Sequence, residues 1–436
     1  PTDPNIVYTE YQYGNMYRYD KKSGETVKIK PLEGKDDLTY KWNWNTPLFI
    51  SPNDHKTLYC AANKVFKSTD RGDSWQVISG DLTAQIDRNT WPVMDKFWSA
   101  EAVVKDVSSS QFGTIVSLCE STVQKGLLYA GTDDGVIQVT ENGGETWTKI
   151  STFPGVPEFT YVSDIFPDRF DANVVYATFN NHKRDDFKPY ILKSSDKGKT
   201  WKPMVEGLPE NGSVHTIAQD HVKKDLLFAG TEFSAWFSLN GGAKWHKLSN
   251  GLPTIAVMDI AIQERENDLV IATFGRGFYI IDDYSPLRMV SDEFLNGTGQ
   301  LFSVPDALQY VQTRNFNNQG DSYFFAPNPE FGAVFTYYLK EVPKTNQEAR
   351  RNKEGKLFEK GERIPQPSWR DLELEKLQEK PHLIFTIRNG AGEVVRKLYK
   401  EPQKGMNRVN WDLRHAARYP VVGVKDFDPV KPGSSG

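Results

Sequence analysis

The stretch "STDRGDSWQVIS", Ser68 to Ser79, decides how this chain is read. It sets a hydroxyl, Asp70, Gly72 and Trp75 at fixed offsets. The spacing returns in "TENGGETWTKIS" from Thr140, "SSDKGKTWKPMV" from Ser194 and "SLNGGAKWHKLS" from Ser238. All four copies fit hydroxyl-x-Asp/Asn-x-Gly-x-x-Trp, and recurrence at this length marks a repeat architecture. The chemistry is that of a tight turn. Ser68 and Asp70 can accept hydrogen bonds from backbone N–H groups just ahead of them. Gly72 can take positive φ without a Cβ penalty. Trp75 resumes the next strand with a large apolar face and an N–H to place. Asn142 and Asn240 replace the aspartate, and Lys244 replaces the hydroxyl ahead of Trp245. A carboxamide cannot do acid–base work. Asp70, Asn142, Asp196 and Asn240, with Trp75, Trp147, Trp201 and Trp245, therefore read as structural.

Working outward, each box follows a second recurring unit: an apolar strand, a turn, then another apolar strand. Examples are "TLYCAANKVFKSTD", "LLYAGTDDGVIQVTEN" and "LLFAGTEFSAWFSLN". "VVYATFNNHKRDDFKPYILKSSD" is the same unit with its turn expanded. Two further copies, "IVYTEYQYGNMYRYDKKSG" and "LVIATFGRGFYIIDD", lack a good box. A third strand candidate precedes most copies ("GTIVSLCES", "YVSDIFPD", "VHTIAQD", "VMDIAIQE"), and the box Trp opens a fourth. Four short strands repeated roughly every 45–70 residues predict an all-β chain built as a β-propeller, with about six recognisable blades over residues 1–285.

Composition sets the bounds. The 436 residues suffice for two or three domains, and 38% hydrophobic with 25% charged residues reads as globular. The net charge of −4 gives no push toward nucleic acid or an anionic membrane. No run of about 18 apolar residues suggests a transmembrane helix. No signal peptide is visible, and the opening "PTDPNIVYTE" reads as an excised or processed start. Cys60 and Cys119 are too few for a disulfide framework and read as buried free thiols.

After Asp283 the pattern changes. Residues 286–330 read as a connector, and 331–436 as a small, incomplete Ig-like β-sandwich with a charged, partly helical insertion at about 341–380. Its strand candidates are "GAVFTYYLKEV", a hairpin around Asn389-Gly390-Ala391-Gly392, and "GMNRVNWDLRH".

The boxes, "YAGTDDG", "FAGTEF", "NWNTPLFISP", "DDFKPYILKSSDKGKTW" and "FGRGFYIIDD" together resemble the bacterial sortilin-like BNR/Asp-box propeller proteins, which are often labelled glycosyl hydrolases. The resemblance spans about residues 1–290, and the tail resembles the Ig-like module that often follows such propellers, over about 330–420. It implies further blades or a second propeller before residue 1, and a secreted, periplasmic or bacterial cell-surface location. The box is specific for a propeller and weakly specific for activity.

Three enzyme chemistries can be weighed. A sialidase needs an arginine triad, and its Arg-Ile-Pro motif precedes the boxes. Here "RIP" falls at Arg363 to Pro365, after every box. A xyloglucanase-type glycoside hydrolase, the one enzymatic alternative kept, needs two carboxylates across a cleft. Asp133, Asp134, Asp185, Asp186 and Glu232 are candidates, although "TDDG" also reads as an ordinary turn and "KRDD" as a solvated charge cluster. A metal centre finds no His-x-x-x-His or Cys-x-x-Cys pairing, and no metal or cofactor is expected. His215 reads as a packed or channel-lining residue. In "KWNWN", Trp42 and Trp44 share a parity: inward they would form a stacking platform, outward they would pack on a blade.

Strand order then selects a face. With strands A to D running outward, the boxes are C–D turns, and the B–C turns and D–A connections leave the opposite face. That face is expected to bind a glycan or protein ligand through Trp91, Trp98, Asp133, Asp134, Asp185, Asp186, Glu232 and Arg276. Binding residues concentrate on such variable loops over a rigid scaffold. Other parts of the same full-length protein, or an outer-membrane or surface complex, are further partner candidates; nucleic acid is not.

Overall fold

The computed structural model describes residues 3–35, 37–102, 112–249, 251–312 and 328–416. The chain divides into two compact units, Pro1–Tyr284 and Ser285–Gly436.

The first unit is a β-propeller of six consecutive antiparallel sheets. Blade 3 shows the plan: strands Ile115–Glu120 (A), Leu128–Thr132 (B), Ile137–Thr140 (C) and Thr148–Ile150 (D), each paired to the next. Blades 2, 4 and 5 repeat it over 48–77, 161–203 and 214–247. Blade 1 has three strands, Ile6–Tyr11, Asn15–Asp20 and Thr26–Lys28. By register with "TLYCAANKVFKS" these are B, C and D. Blade 6 also has three, Val257–Gln263, Asp268–Thr273 and Phe278–Ile281, which are A, B and C.

The four boxes form one turn made four times, each between strands C and D. The leading hydroxyl accepts the glycine N–H: Ser68 from Gly72, Thr140 from Gly144, Ser194 from Gly198 and Ser238 from Gly242, all at 2.8–2.9 Å. The Asp or Asn Oδ1 accepts the N–H just ahead of the Trp, from Ser74, Thr146, Thr200 and Lys244, at 2.8–3.0 Å. Asn therefore serves as well as Asp. The Ser74 hydroxyl, foremost among these bonds, holds Asp70 down at about 2. Asp70→Asn should leave stability at neutral pH close to that of wild type, because the Asn oxygen can accept the same backbone N–H. A cooperative collapse of blade 2 on thermal melting of that variant would contradict the structural role.

The box tryptophans tie one blade to the one before. Trp75, Trp147 and Trp245 donate Nε1–H to the carbonyls of Ile29, Ile78 and Met204. Trp201 instead donates within its own turn, to Gly198 O. Trp201 and Trp245 are buried, while Trp75 and Trp147 are half-buried. The core lies between blades rather than in one centre. Tyr129, Ile137 and Val139 of blade 3 pack on Val162, Ile165 and Val175 of blade 4. Tyr176 and Ile191 of blade 4 pack on Val214, Ile217 and Trp245 of blade 5. The sheets approach closely at Gly131, where an added Cβ would lie 2.6 Å from Val162. In blade 6 the same register exposes its side chains: Phe278 and Ile280 are 74% and 57% exposed, against 0% and 6% for Ile137 and Val139.

The second unit holds a three-stranded sheet, Gly299–Leu301, Ala333–Leu339 and Gly405–Trp411, and a hairpin, Leu383–Arg388 with Val394–Lys400. Phe385 of the hairpin packs on Phe335 and Tyr337 of the sheet. The charged insertion forms helices Asn346–Glu359 and Trp369–Leu377, started by capping boxes at Thr345/Glu348 and Ser368/Asp371 and joined by Arg350–Glu375. The connector begins with short turns of helix, Ser285–Met289 and Asp292–Asn296, and its residues 313–327 lie outside the described residues.

Candidate functional site

The D–A connection between blades 2 and 3 builds a cleft. Asp87 caps a short 3-10 turn, Arg88–Thr90, by accepting the Asn89 N–H at 2.9 Å. The chain then turns extended at Trp91. Trp98 folds back and donates Nε1–H to Val93 O at 2.9 Å. Arg88, Asn89, Trp91, Pro92, Val93, Trp98 and Ala102 line a half-open cleft of about 590 Å³. Its walls are mostly apolar, with a guanidinium and an amide among the lining groups. Trp91 leans on Phe112 and Phe159, each ring 5.6 Å away, yet stays 40% exposed, and Trp98 is 48% exposed. Residues 103–111 of the connection lie outside the described residues.

Two predicted carboxylates anchor this connection. Asp134 is buried and accepts Ala84 N–H and the Thr132 hydroxyl. Asp133 accepts Gly113 N–H, Thr114 N–H and the Thr114 hydroxyl at 2.8–3.0 Å. Burial pushes Asp133 up to about 6. Asp134 thus departs from the expectation that it offers a carboxylate to ligand: one oxygen holds Ala84 of the loop that presents Trp91, and the other accepts from Thr132 of its own turn.

The other predicted residues stand apart from the cleft. Asp186 accepts Asn181 Nδ2–H and the Tyr190 hydroxyl, which shapes the long B–C turn of blade 4. Asp185 is exposed and takes a left-handed backbone in that turn. Glu232 accepts His215 Nε2–H at 2.9 Å in the B–C turn of blade 5. Arg276 is exposed in the blade 6 turn, between Gly275 and Gly277, both at positive φ. The two tryptophans of "KWNWN" part company. Trp42 is buried and stacks on Phe66 at 5.7 Å, whereas Trp44 is half exposed with its edge toward Tyr13. Asn43 between them is buried and donates to the Thr114 hydroxyl. Cys60 and Cys119 are free, and burial pushes both thiols up.

The innermost strands hold a feature not read from the sequence. Each A strand of blades 3 to 6 carries a β-bulge, spanning Ile115/Ser117, Val162/Asp164, Val214/Thr216 and Val257/Asp259. The polar residue there reaches the neighbouring blade. Ser117 accepts Ile165 N–H at 2.9 Å, and Asp164 accepts Ile217 N–H and the Thr216 hydroxyl, both at 3.0 Å. Asp259 approaches the same hydroxyl from the far side, at 3.4 Å. The signal was present as Ser117, Asp164, Thr216 and Asp259 at one offset in the third strand candidates, each followed by an apolar residue. Burial, with Asp259 adding, pushes Asp164 up to about 6.

This sets a sign for pH. A carboxyl raised above its unfolded value of about 3.9 binds an extra proton in the folded state, so its contribution to stability falls as pH rises from about 4 to 6. Asp164→Asn should remove up to about 3 kcal/mol of that fall and leave the share due to Asp133. Thermal midpoints from pH 4 to 7 check this, and equal slopes in variant and wild type would rule it out.

Among the described residues no three His, Cys, Asp or Glu side chains are arranged to hold a metal ion, and no helix is long and apolar enough to cross a membrane. Neither a protein-family model nor a curated protein matches the chain. Solved structures do, at low identity. The GH74 enzyme of Niastella koreensis is 15% identical, with a TM-score of 0.46, over 64% of this chain and 41% of that one. The GH74 xyloglucanase from Xanthomonas campestris is 16% identical, at 0.45, over 67% and 45%. YCF48 from Cyanidioschyzon merolae is 14% identical, at 0.41, over 70% and 86%. The chain thus spans less than half the length of the two GH74 proteins.

Proposed function

We propose that this chain is a ligand-binding propeller, secreted, periplasmic or displayed on a bacterial cell surface. It takes a glycan or a protein through the face opposite its box turns. The second unit, read as an Ig-like module, serves as a spacer. One observation carries the reading: the cleft that keeps Trp91 and Trp98 partly exposed at the end of a braced loop. Exposed indoles are costly on a surface and suit stacking on a sugar ring or gripping a side chain. The rigid anchors Asp133 and Asp134 support the same reading, because a fixed loop loses little entropy on binding.

Replacing Trp91 and Trp98 together by Ala separates binding from packing. Glycan-array and pull-down binding should fall by about 10- to 100-fold, the loss of two aromatic anchors, with the melting temperature held within a few degrees. Lost stability with unchanged binding would make the loop a packing element.

A second reading, an O-glycosyl hydrolase of the xyloglucanase type, is favoured by the pair Asp164 and Asp259, which meet at the Thr216 hydroxyl. A carboxyl raised to about 6 beside a second carboxylate is the pattern of a general acid with its partner. Release of reducing ends from xyloglucan, abolished in Asp164→Asn, would establish it.

A further inference from the structure

The bulge in strand Val214–Gln219 falls at His215, and the imidazole of the inserted residue reaches Glu232 in the B–C turn of the same blade. His215 is buried. Its Nε2 lies 2.9 Å from Glu232 Oε2, and its Nδ1 lies 3.2 Å from Asn180 Nδ2. An amide nitrogen only donates, so His215 Nδ1 is the acceptor and Nε2 carries the proton given to Glu232. Asn180 then turns its carbonyl oxygen to His182, where it meets the backbone N–H at 3.1 Å and the ring Nδ1. That oxygen only accepts, so His182 Nδ1 carries a proton. In a neutral ring, His182 Nε2 is left as a bare lone pair. Blades 4 and 5 together thus select one tautomer of one surface imidazole, at the start of the short turn His182–Arg184.

We propose that His182 Nε2 is the hydrogen-bond acceptor of this face and takes a hydroxyl of a bound glycan. The proposal rests on the glycan form of the binding reading and adds a contact that the aromatic cleft does not supply. A site made only for stability would have no need to order an exposed ring through two buried side chains. Exposed Phe187, in the same turn, and Phe233, beside Glu232, add apolar surface of the kind that meets the C–H face of a pyranose.

The state of the ring supports the geometry. Partial desolvation holds His182 below the ordinary imidazole value, with His215 and Lys183 lowering it further and Glu232 opposing. The ring is therefore neutral at pH 7.5. Protonation at lower pH converts Nε2 from acceptor to donor, and a hydroxyl held as donor loses its partner.

The full chain can be titrated with xyloglucan and mannan oligosaccharides at pH 7.5 and pH 5, comparing wild type, His182→Phe and the Trp91/Trp98 double alanine variant. Wild-type affinity should drop about tenfold once the His182 ring carries two protons, a state followed by the nitrogen-15 spectra below, through the loss of one hydrogen bond. His182→Phe should bind about tenfold more weakly at pH 7.5, lose the part of the pH dependence that follows the His182 ring, and melt as wild type does, because the ring is exposed. Nitrogen-15 histidine spectra at pH 7.5 should show His182 protonated on Nδ1 and His215 on Nε2. His182 protonated on Nε2 would overturn the proposal. So would a His182→Phe variant that binds as wild type while the double alanine variant does not, a result that keeps the cleft. If wild type binds neither sugar at either pH, the glycan reading fails and this proposal falls with it.

Discussion

Trp245→Ala should destabilise the propeller by about 3–5 kcal/mol, the cost of emptying a large aromatic site in a core. Trp245 is 2% exposed. Its ring packs among Tyr176, Ile191, Met204 and Val214, and its Nε1–H bonds Met204 O of the preceding blade. The substitution therefore opens a cavity and also leaves a buried carbonyl without its donor. Gly207 adds to the cost, because the chain there passes so close to the Trp245 backbone that a Cβ would lie 2.4 Å from Trp245 O. The local backbone cannot move in to fill the space. Chemical denaturation should show a lowered midpoint with an unchanged slope. A loss below about 1 kcal/mol would mean the box tryptophan is not a blade clamp.

Gly144→Ala should cost nearly as much, about 2–5 kcal/mol, and Gly143→Ala, one residue earlier, only about 1–2 kcal/mol. Both glycines have positive φ, 72° at Gly143 and 104° at Gly144. Their surroundings differ. A Cβ on Gly143 meets nothing within 4 Å, so only backbone strain is added. A Cβ on Gly144 would stand 2.7 Å from Ile78 O and 2.9 Å from the Ile78 side chain. Ile78 O is also the acceptor for Trp147 Nε1–H, so the clash strikes the bond that ties blade 3 to blade 2. Paired thermal melts of the two variants check the contrast. Equal losses would show that the close approach of blades at the box is not what the glycine serves. The second box glycine is thus an inter-blade residue, although a single-turn reading assigns it only conformational freedom.

The ligand experiments bear on different residues from these stability tests. Trp91 and Trp98 lie on a loop whose braces, Asp133 and Asp134, are themselves internal. These two carboxylates, suggested as ligand contacts by residue type alone, turn out to be the loop's fastenings. Glu232 differs from them, since its partner is a histidine that passes the interaction on to the surface.

The sequence by itself determined the repeat, the four-stranded plan, the position of every box between strands C and D, and the structural status of the box residues. It could do so because a tight turn is a local problem: hydroxyl, Asx, glycine and Trp meet within eight residues, so their spacing is their geometry. The two helices of the insertion, expected only as partial helicity, are local in the same way, the two residues of each capping box lying three apart. Only the tertiary structure decided which side chains serve a site. Trp42 and Trp44 have the same parity and different fates, because Phe66 of blade 2 stacks on the first, which is buried, while the second meets Tyr13 at a steep angle and stays half exposed. Asp133 and Asp134 look alike to Asp185 and Asp186, but backbone N–H groups from a loop 20 to 50 residues away claim the first pair. The link from His182 through Asn180 and His215 to Glu232 spans two blades. Its geometry depends on a one-residue bulge that period-two alternation does not reveal. Burial and hydrogen-bond partnership across blades are sums over distant parts of the chain, and no local pattern encodes them.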